Sequence, residues 1–195
     1  MIYPIKQIPI AKFFSKNKPK FVVGHVDLGT FTGTVATLKG VKSASYHFYI
    51  PRNEETIVQF VQTDRGAWHA GRVSNPTAKA KKLFGNTNPN KLSIGICYEG
   101  KPLDKTGKVN WDWSKVVDGQ KATKSQVDRT VWLLQKLGYE NLPRIAHKEI
   151  TSYKPESAVD FIDRVDEAMK GEHVCSLSGF TFSEIMGEFV KRLSR

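Results

Sequence analysis

Short apolar runs and runs of alternating apolar and polar residues predict a series of β-strands along the chain. Residues 21–25 (FVVGH) form an apolar run that is typical of a buried strand, and residues 45–50 (SYHFYI) are rich in β-forming residues. Residues 56–62 follow a polar turn, so the pattern predicts a hairpin with residues 45–50. Two further strands are predicted over residues 92–98 and 143–147.

One face of the fourth predicted strand is made only of small residues. Ser93, Gly95 and Cys97 alternate along that face. Such a face leaves room for another group to pack against the strand.

Two stretches between the strands are predicted to be loops. Residues 29–40 are rich in Gly and Thr, and residues 72–90 contain Gly85 and two Asn-Pro steps. Both compositions are typical of turns and irregular structure.

Apolar residues at helical spacing predict two helices in the second half of the chain. Thr123 and Gln126 form a capping box before the first helix, and Gly138 supplies its C-terminal stop. Ser157 begins the second helix, which Gly171 is expected to end. Strands interleaved with helices predict a single domain of the α/β (α+β) class, although the pattern does not give the order of the strands.

The chain divides into three parts by charge and amphipathicity. Residues 1–20 form a basic N-terminal segment, residues 21–170 hold the predicted strands and helices of the main domain, and residues 171–195 form an amphipathic helical segment with a basic end. A last helix is predicted over residues 183–193. This final segment either packs on the domain or directs the protein to a wall or membrane surface.

Composition narrows the class of protein. The chain has 195 residues, of which 39% are hydrophobic, and this content favours a packed core over disorder. No apolar run approaches the length of a membrane span, and two cysteines cannot form a disulfide framework. The N-terminal residues lack the pattern of a secretory signal, so we expect the protein to stay in the cytoplasm after synthesis. A formal net charge of +11 predicts attraction to polyanions.

Five histidines are candidates for chemistry, and two of them end predicted strands. His25 and His147 occupy such ends, where a rigid backbone can aim an imidazole, although histidines there are also commonly structural. Lys154 and Glu156 lie in a short polar stretch downstream. Two histidines and one carboxylate leave a fourth zinc position open for water, and a nearby lysine can face a developing oxyanion. His47, in the hairpin, is expected to be structural or solvent-facing.

Several motifs in a fixed order make the sequence similar to a known family. The chain resembles the zinc-dependent type 2 N-acetylmuramoyl-L-alanine amidases, which include phage endolysins, cell-wall recycling amidases and peptidoglycan recognition proteins. The resemblance covers about residues 20–160. The segments that carry it are VVGHVD, SYHFYIPRNEETIVQFV, AWHAG, SIGI and a final histidine followed by Lys154 and Glu156.

The resemblance implies a fold and a set of site residues. The fold would be a mixed central β-sheet flanked by helices. The implied zinc ligands are His25, His147 and Glu156, with Tyr46 and Lys154 in catalytic roles. The residues implied to contact substrate are Trp68, His69 and Cys97.

Two positions depart from the family pattern. Glu156 stands where the family usually has aspartate or cysteine, and Asp160 is an alternative third ligand that fits better as the capping partner of Ser157. Val26 and Asp27 follow the first histidine, where the family often has threonine or serine. Asp27 either supports a ligand histidine or caps the loop.

The resemblance is closest to the phage enzymes, because Cys97 follows SIGI and Tyr46 lies in the hairpin strand. We therefore expect a monomeric endolysin that waits in the host cytoplasm and, at lysis, cleaves the bond between N-acetylmuramic acid and L-alanine in peptidoglycan. Its basic surface would contact anionic outer-membrane or wall polymers, without specific nucleic-acid binding. The alternative is a protein of the same fold that binds muropeptides without cleaving them, which would follow if Glu156 failed as a ligand.

Overall fold

The computed structural model describes residues 2–40, 44–112 and 114–177. The predicted helix over residues 183–193 lies outside the described residues. The strands are β1 (Ile5–Gln7), β2 (Phe13–Phe14), β3 (Phe21–Asp27), β4 (Phe48–Ile50), β5 (Ile57–Gln59), β6 (Gly66–Ala67), β7 (Ser93–Glu99), β8 (Pro102–Asp104), β9 (Val116–Gly119) and β10 (Arg144–Ala146). The helices are α1 (Phe31–Gly40), α2 (Ala78–Phe84), α3 (Lys124–Lys136), α4 (His147–Ile150) and α5 (Ser157–Leu177), with a 3₁₀ turn at Pro89–Lys91.

Six strands form the central sheet in the order β1-β5-β4-β7-β3-β10. The β4–β5 pair is antiparallel, while the remaining pairs are parallel. The predicted hairpin and the mixed central sheet are therefore confirmed. Since β3 and β10 are parallel neighbours, their C-terminal ends lie at the same edge of the sheet.

Helices cover both faces of this sheet. Helices α3 and α5 pack on one face, where Gly24 lets α5 come close, because a Cβ there would lie 2.6 Å from Ile162. On the other face, α1 packs through Leu38 and α2 through Ala80 and Phe84. The predicted α/β domain with flanking helices is confirmed. Among the described residues, no helix is both long and apolar enough to cross a membrane.

The sequence patterns predicted five of the ten described strands, β3, β4, β5, β7 and β10, and the start of α3. The Thr123–Gln126 capping box is present: each side chain accepts a hydrogen bond from the other residue's backbone N–H. The prediction that Gly171 ends the second helix is wrong, because α5 continues to Leu177. A helical glycine costs only about 1 kcal/mol relative to alanine, so the helix can pass through it.

Both predicted loops contain a helix, so these two predictions are wrong. The first turn of α1 is anchored by two carboxylates: the Phe31 N–H donates to Glu99 over 3.0 Å, and the Thr34 hydroxyl donates to Asp27. The contact with Glu99 joins residues 68 positions apart and leaves no local pattern. Helix α2 did have local signals, since Thr77 is its N-cap and Gly85 its C-cap.

Candidate active site

Three histidines converge on the side of the sheet that faces α1 and α2. His25 lies near the end of β3, His147 follows β10, and His69 follows β6. The Nδ1 atoms of His25 and His147 are 3.0 Å apart, and His25 Nε2 is 3.0 Å from His69 Nδ1. The parallel pairing of β3 with β10 brings His25 and His147 together although they are 122 positions apart in sequence.

The backbone after β6 holds two of these rings. His147 Nε2 donates a hydrogen bond to the Ala70 carbonyl over 2.9 Å, because a carbonyl can only accept. Asn90 Oδ1 in turn accepts from the N–H groups of His69 and Ala70, at 3.0 and 2.8 Å. The side chain of Asn90 therefore positions the segment that carries one histidine and supports another.

The ring of His69 fills the space above the small face of β7. A Cβ on Gly95 would lie 2.5 Å from His69 Cγ, which is too close for any side chain at that position. The prediction that this face leaves room for another group is confirmed, and the group is the imidazole of His69.

Burial keeps the three imidazoles neutral. It lowers the pKa of His25 and of His69 well below the usual histidine value, and each effect is strengthened by neighbouring histidines. Burial also lowers the pKa of His147 to about 4. Neutral imidazoles are the form in which histidine binds metals.

The histidines border a pocket with a volume of about 310 Å³. Lys154 lies half-buried at this pocket, and burial lowers its pKa from the usual lysine value. Its Nζ is 5.1 Å from the centre of the Tyr153 ring. The predicted site residues that line the pocket are His25, Tyr46, Trp68, His69, His147 and Lys154.

Tyr46 packs beside the first histidine, with its ring centre 5.2 Å from that of His25. Burial raises the pKa of the Tyr46 phenol well above its usual value, and nearby Cys97 and Asp27 add to this shift. Cys97 belongs to the buried cluster against which Tyr46 packs, and it is not among the described residues that line the pocket. Because Cys97 does not line the pocket, the structure does not place it against a substrate. Its contact with substrate stays a prediction.

Trp68 forms one wall of the pocket and packs against Phe14, with ring centres 5.6 Å apart. Its indole Nε1 is buried and has no hydrogen-bond partner among the described residues. The indole is therefore placed both to border the pocket and to pack against the N-terminal segment.

The two carboxylates considered as third ligand lie away from the histidine pair. Glu156 forms an ion pair with Lys148, and its side chain is 64% exposed. Asp160 Oδ1 lies 2.7 Å from Lys121 Nζ. Within residues 2–40, 44–112 and 114–171, no three or more His, Cys, Asp or Glu side chains are arranged to hold a metal.

The histidine pair itself fits zinc. His147 uses its Nε2–H on the Ala70 carbonyl, so its Nδ1 carries a free lone pair that points at His25 Nδ1. Buried, neutral imidazole nitrogens are normal zinc ligands, and a hydrogen bond from the other ring nitrogen is the usual support. The structure thus assembles two of the three predicted ligands.

Two nearby polar residues have structural partners. Asp27 accepts hydrogen bonds from Tyr49, over 2.8 Å, and from Thr34, so it anchors α1 instead of contacting a histidine. His47 is fully buried: its Nδ1 accepts from the Gly95 N–H over 3.0 Å, and its Nε2 donates to the Arg65 carbonyl over 2.8 Å. The expectation of a structural role for His47 agrees with these contacts.

Asn90, Ser93 and Ala70 also belong to the site, although their sequence positions did not predict it. Asn90 was visible only as one of several residues in an Asn-rich loop before β7. Ala70 acts through its carbonyl group, which has no signature in the sequence. Ser93 was noted for its small size, and its hydrogen bond to His69 could not be foreseen.

The sequence was compared with models of known protein families. Residues 15–158 match the Amidase_2 family, described as N-acetylmuramoyl-L-alanine amidase. Because this match covers most of the chain, the protein belongs to that family, which confirms the resemblance found in the sequence.

Solved structures share the fold at low sequence identity. A mutant endolysin from Bacillus subtilis is 21% identical, with a TM-score of 0.54 over 87% of this chain and 99% of the other. The amidase LysC from Clostridium intestinale is 15% identical, with a TM-score of 0.53 over 84% of this chain and 96% of the other.

AmpDH3 from Pseudomonas aeruginosa is 22% identical, with a TM-score of 0.52 over 69% of this chain. The matched part spans about half of AmpDH3, 52% of its length. A comparison with curated proteins finds no match.

Proposed function

We propose that this protein is a zinc-dependent N-acetylmuramoyl-L-alanine amidase. It would hydrolyse the amide bond between the lactyl group of N-acetylmuramic acid and L-alanine in peptidoglycan. The observation that carries the proposal is the convergence of two neutral imidazoles, with Nδ1 atoms 3.0 Å apart, on a pocket that also holds Lys154. Membership of the amidase family supports the choice of reaction.

His25 and His147 would hold the zinc ion, with Glu156 as the proposed third ligand. For Glu156 to bind, its carboxylate must leave Lys148. When bound, zinc supplies Lewis acidity, which lowers the pKa of water towards neutrality and polarises a carbonyl group.

Lys154 would stabilise the negative charge that develops on the carbonyl oxygen. Its ammonium group lies at the pocket in a partly dehydrated position, where a charge interaction is stronger than in water. A donor that acts on such an oxyanion typically contributes about 10²–10³ in rate.

Tyr46 would orient the attacking water or the substrate as a hydrogen-bond donor. Its raised pKa keeps the phenol protonated at neutral pH, so the hydroxyl does not act there as a general base. Trp68 and His69 border the same pocket and would contact the glycan or the stem peptide.

We further propose a phage endolysin that acts on the wall at host lysis and works as a monomer. Similarity of fold to a solved endolysin supports this assignment. The net charge of +11 suits anionic wall or outer-membrane polymers, and we expect any binding to nucleic acid to be nonspecific.

A second candidate function is muropeptide binding without cleavage. It is favoured by one observation, the pairing of Glu156 with Lys148 at the surface instead of with the histidines. A site with only two protein ligands would bind zinc weakly and leave the pocket as a recognition site.

Digestion of purified peptidoglycan separates the two candidates. The amino groups of newly exposed L-alanine are counted with the protein as isolated, after chelation, and after zinc is restored. The amidase requires new L-alanine termini that disappear with chelator and return with zinc. Retained peptidoglycan binding without cleavage, in zinc-supplemented protein, would overturn the amidase and support the recognition protein.

A further inference from the structure

The hydroxyl group of Ser93 determines which nitrogen of His69 carries a proton. Ser93 Oγ lies 2.7 Å from the Pro89 carbonyl oxygen and 3.1 Å from His69 Nε2. The hydroxyl has one proton, and the carbonyl can only accept, so that proton goes to Pro89. His69 Nε2 must then donate to Ser93 Oγ.

With the proton on His69 Nε2, His69 Nδ1 is unprotonated and carries a lone pair. This bare nitrogen is 3.0 Å from His25 Nε2, so it accepts a hydrogen bond and His25 Nε2 carries the proton. His69 cannot easily turn away, because Asn90 holds its backbone N–H and Gly95 lies directly under its ring.

The proton on His25 Nε2 leaves His25 Nδ1 bare as well. That atom faces His147 Nδ1, which is bare because His147 Nε2 donates to the Ala70 carbonyl. Two lone pairs 3.0 Å apart repel each other, and a cation shared between them relieves the repulsion. The opposite tautomer of His25 would instead close a hydrogen bond to His147 and block the metal.

We propose that Ser93 and His69 form a relay of hydrogen bonds that sets the tautomer of His25 and so keeps the histidine pair open for a divalent cation. In this role His69 and Ser93 are positioning residues. The relevance of the relay to zinc rests on the proposed function, but the position of the proton on His25 can be tested without it.

Two substitutions of His69 separate hydrogen bonding from packing. In His69→Asn, the amide oxygen can occupy about the position of Nδ1 and accept from His25. In His69→Leu, a side chain of similar branching fills the space above Gly95 but offers no acceptor. Ser93→Ala removes the partner of His69 Nε2 and serves as a second variant if His69→Leu does not fold.

The experiment combines ring nitrogen NMR of the metal-free protein with zinc titration against a competing chelator. We expect His25 to be protonated on Nε2 in the wild type and in His69→Asn. In His69→Leu we expect protonated Nδ1, and a loss of zinc affinity of about 10- to 100-fold, which is typical for removal of a residue that supports a metal ligand. Ser93→Ala should shift both readouts in the same direction, but less.

The proposal is overturned if His25 of the metal-free wild type carries its proton on Nδ1. It is also overturned if folded His69→Leu, or Ser93→Ala in its place, keeps both the wild-type tautomer and the wild-type zinc affinity. If the wild type binds no zinc but shows the expected tautomer, the zinc part of the proposed function fails while the relay stands.

Discussion

The two sides of the pocket are held in very different ways. On the histidine side, His25, His69 and His147 are buried, and each is connected by a hydrogen bond to another ring or to a backbone carbonyl. On the other side, the connection between α4 and α5 carries Lys154, which is half-buried, and Glu156, which is mostly exposed.

This difference shows which part of the site is formed in advance. Parallel strands and a network of hydrogen bonds hold the imidazoles in place, which is the arrangement expected of a preorganised site. The ion pair between Lys148 and Glu156 is near the surface, where such pairs contribute about 0–1 kcal/mol. A metal contact could therefore replace it at little cost, whereas the histidine side resists rearrangement.

The largest effect is expected from His147→Ala on the rigid side. This substitution removes one of the two assembled imidazoles, so zinc binding should be lost and peptidoglycan hydrolysis should fall by at least about 10³-fold. Zinc content by elemental analysis and L-alanine release are the two measurements. Full zinc content together with full activity in this variant would show that the histidine pair is not the metal site.

Lys154→Met tests the side of the pocket formed by the connection between α4 and α5. Turnover should fall by about 10²–10³, because the donor to the developing oxyanion is lost, while zinc content stays at the wild-type value. The comparison variant is Lys170→Met, which removes an exposed lysine of α5 and should leave turnover unchanged. A parallel loss of zinc in Lys154→Met would mean that this lysine supports the metal site and has no separate role.

Glu156→Gln tests whether the exposed Glu156 carboxylate completes the metal site. A neutral amide is a poor zinc ligand, so zinc affinity should fall by about tenfold or more. Titration against a competing chelator measures this change, with Asp160→Asn as the variant expected to keep wild-type affinity.

Lys148→Met sharpens the same test in the opposite direction. It frees Glu156 from its ion pair, so zinc affinity should rise by up to about fivefold, which corresponds to the typical value of such a pair. Unchanged affinity in both Glu156→Gln and Lys148→Met would remove Glu156 from the list of ligands.

The smallest effect concerns the packing of the rigid side. In Gly95→Ala the new Cβ would lie 2.5 Å from His69 Cγ, so the free energy of unfolding should fall by about 1–3 kcal/mol. Gly171→Ala is the matched control: no described side chain lies within 4 Å of its Cβ position inside α5, and helix propensity predicts a gain of up to about 1 kcal/mol. Denaturant unfolding of the metal-free protein measures both, and equal stabilities would show that His69 is loosely packed.

The sequence predicted the features that depend on neighbouring residues. The apolar run at β3 predicted a buried strand, and the Thr123–Gln126 pair predicted the start of α3. It did not predict α1, because the first turn of that helix is held by Glu99, on a strand far along the chain. His25 and His147 were recognisable as candidate metal ligands because they end predicted strands. Their hydrogen-bond partners, His69 and the Ala70 carbonyl, were not recognisable.

The sequence alone determined five of the six strands of the central sheet, the family, and the residue types that supply imidazole, ammonium and carboxylate groups. Only the tertiary structure decided which of them meet. Parallel pairing of β3 with β10 brings His25 next to His147. Gly95 on β7 has no side chain, so the His69 ring can pack beside them. Glu156 remains at the surface with Lys148. The reason is physical: hydrogen-bond register fixes positions across the sheet, whereas a side chain on a connection takes whichever partner its surroundings offer.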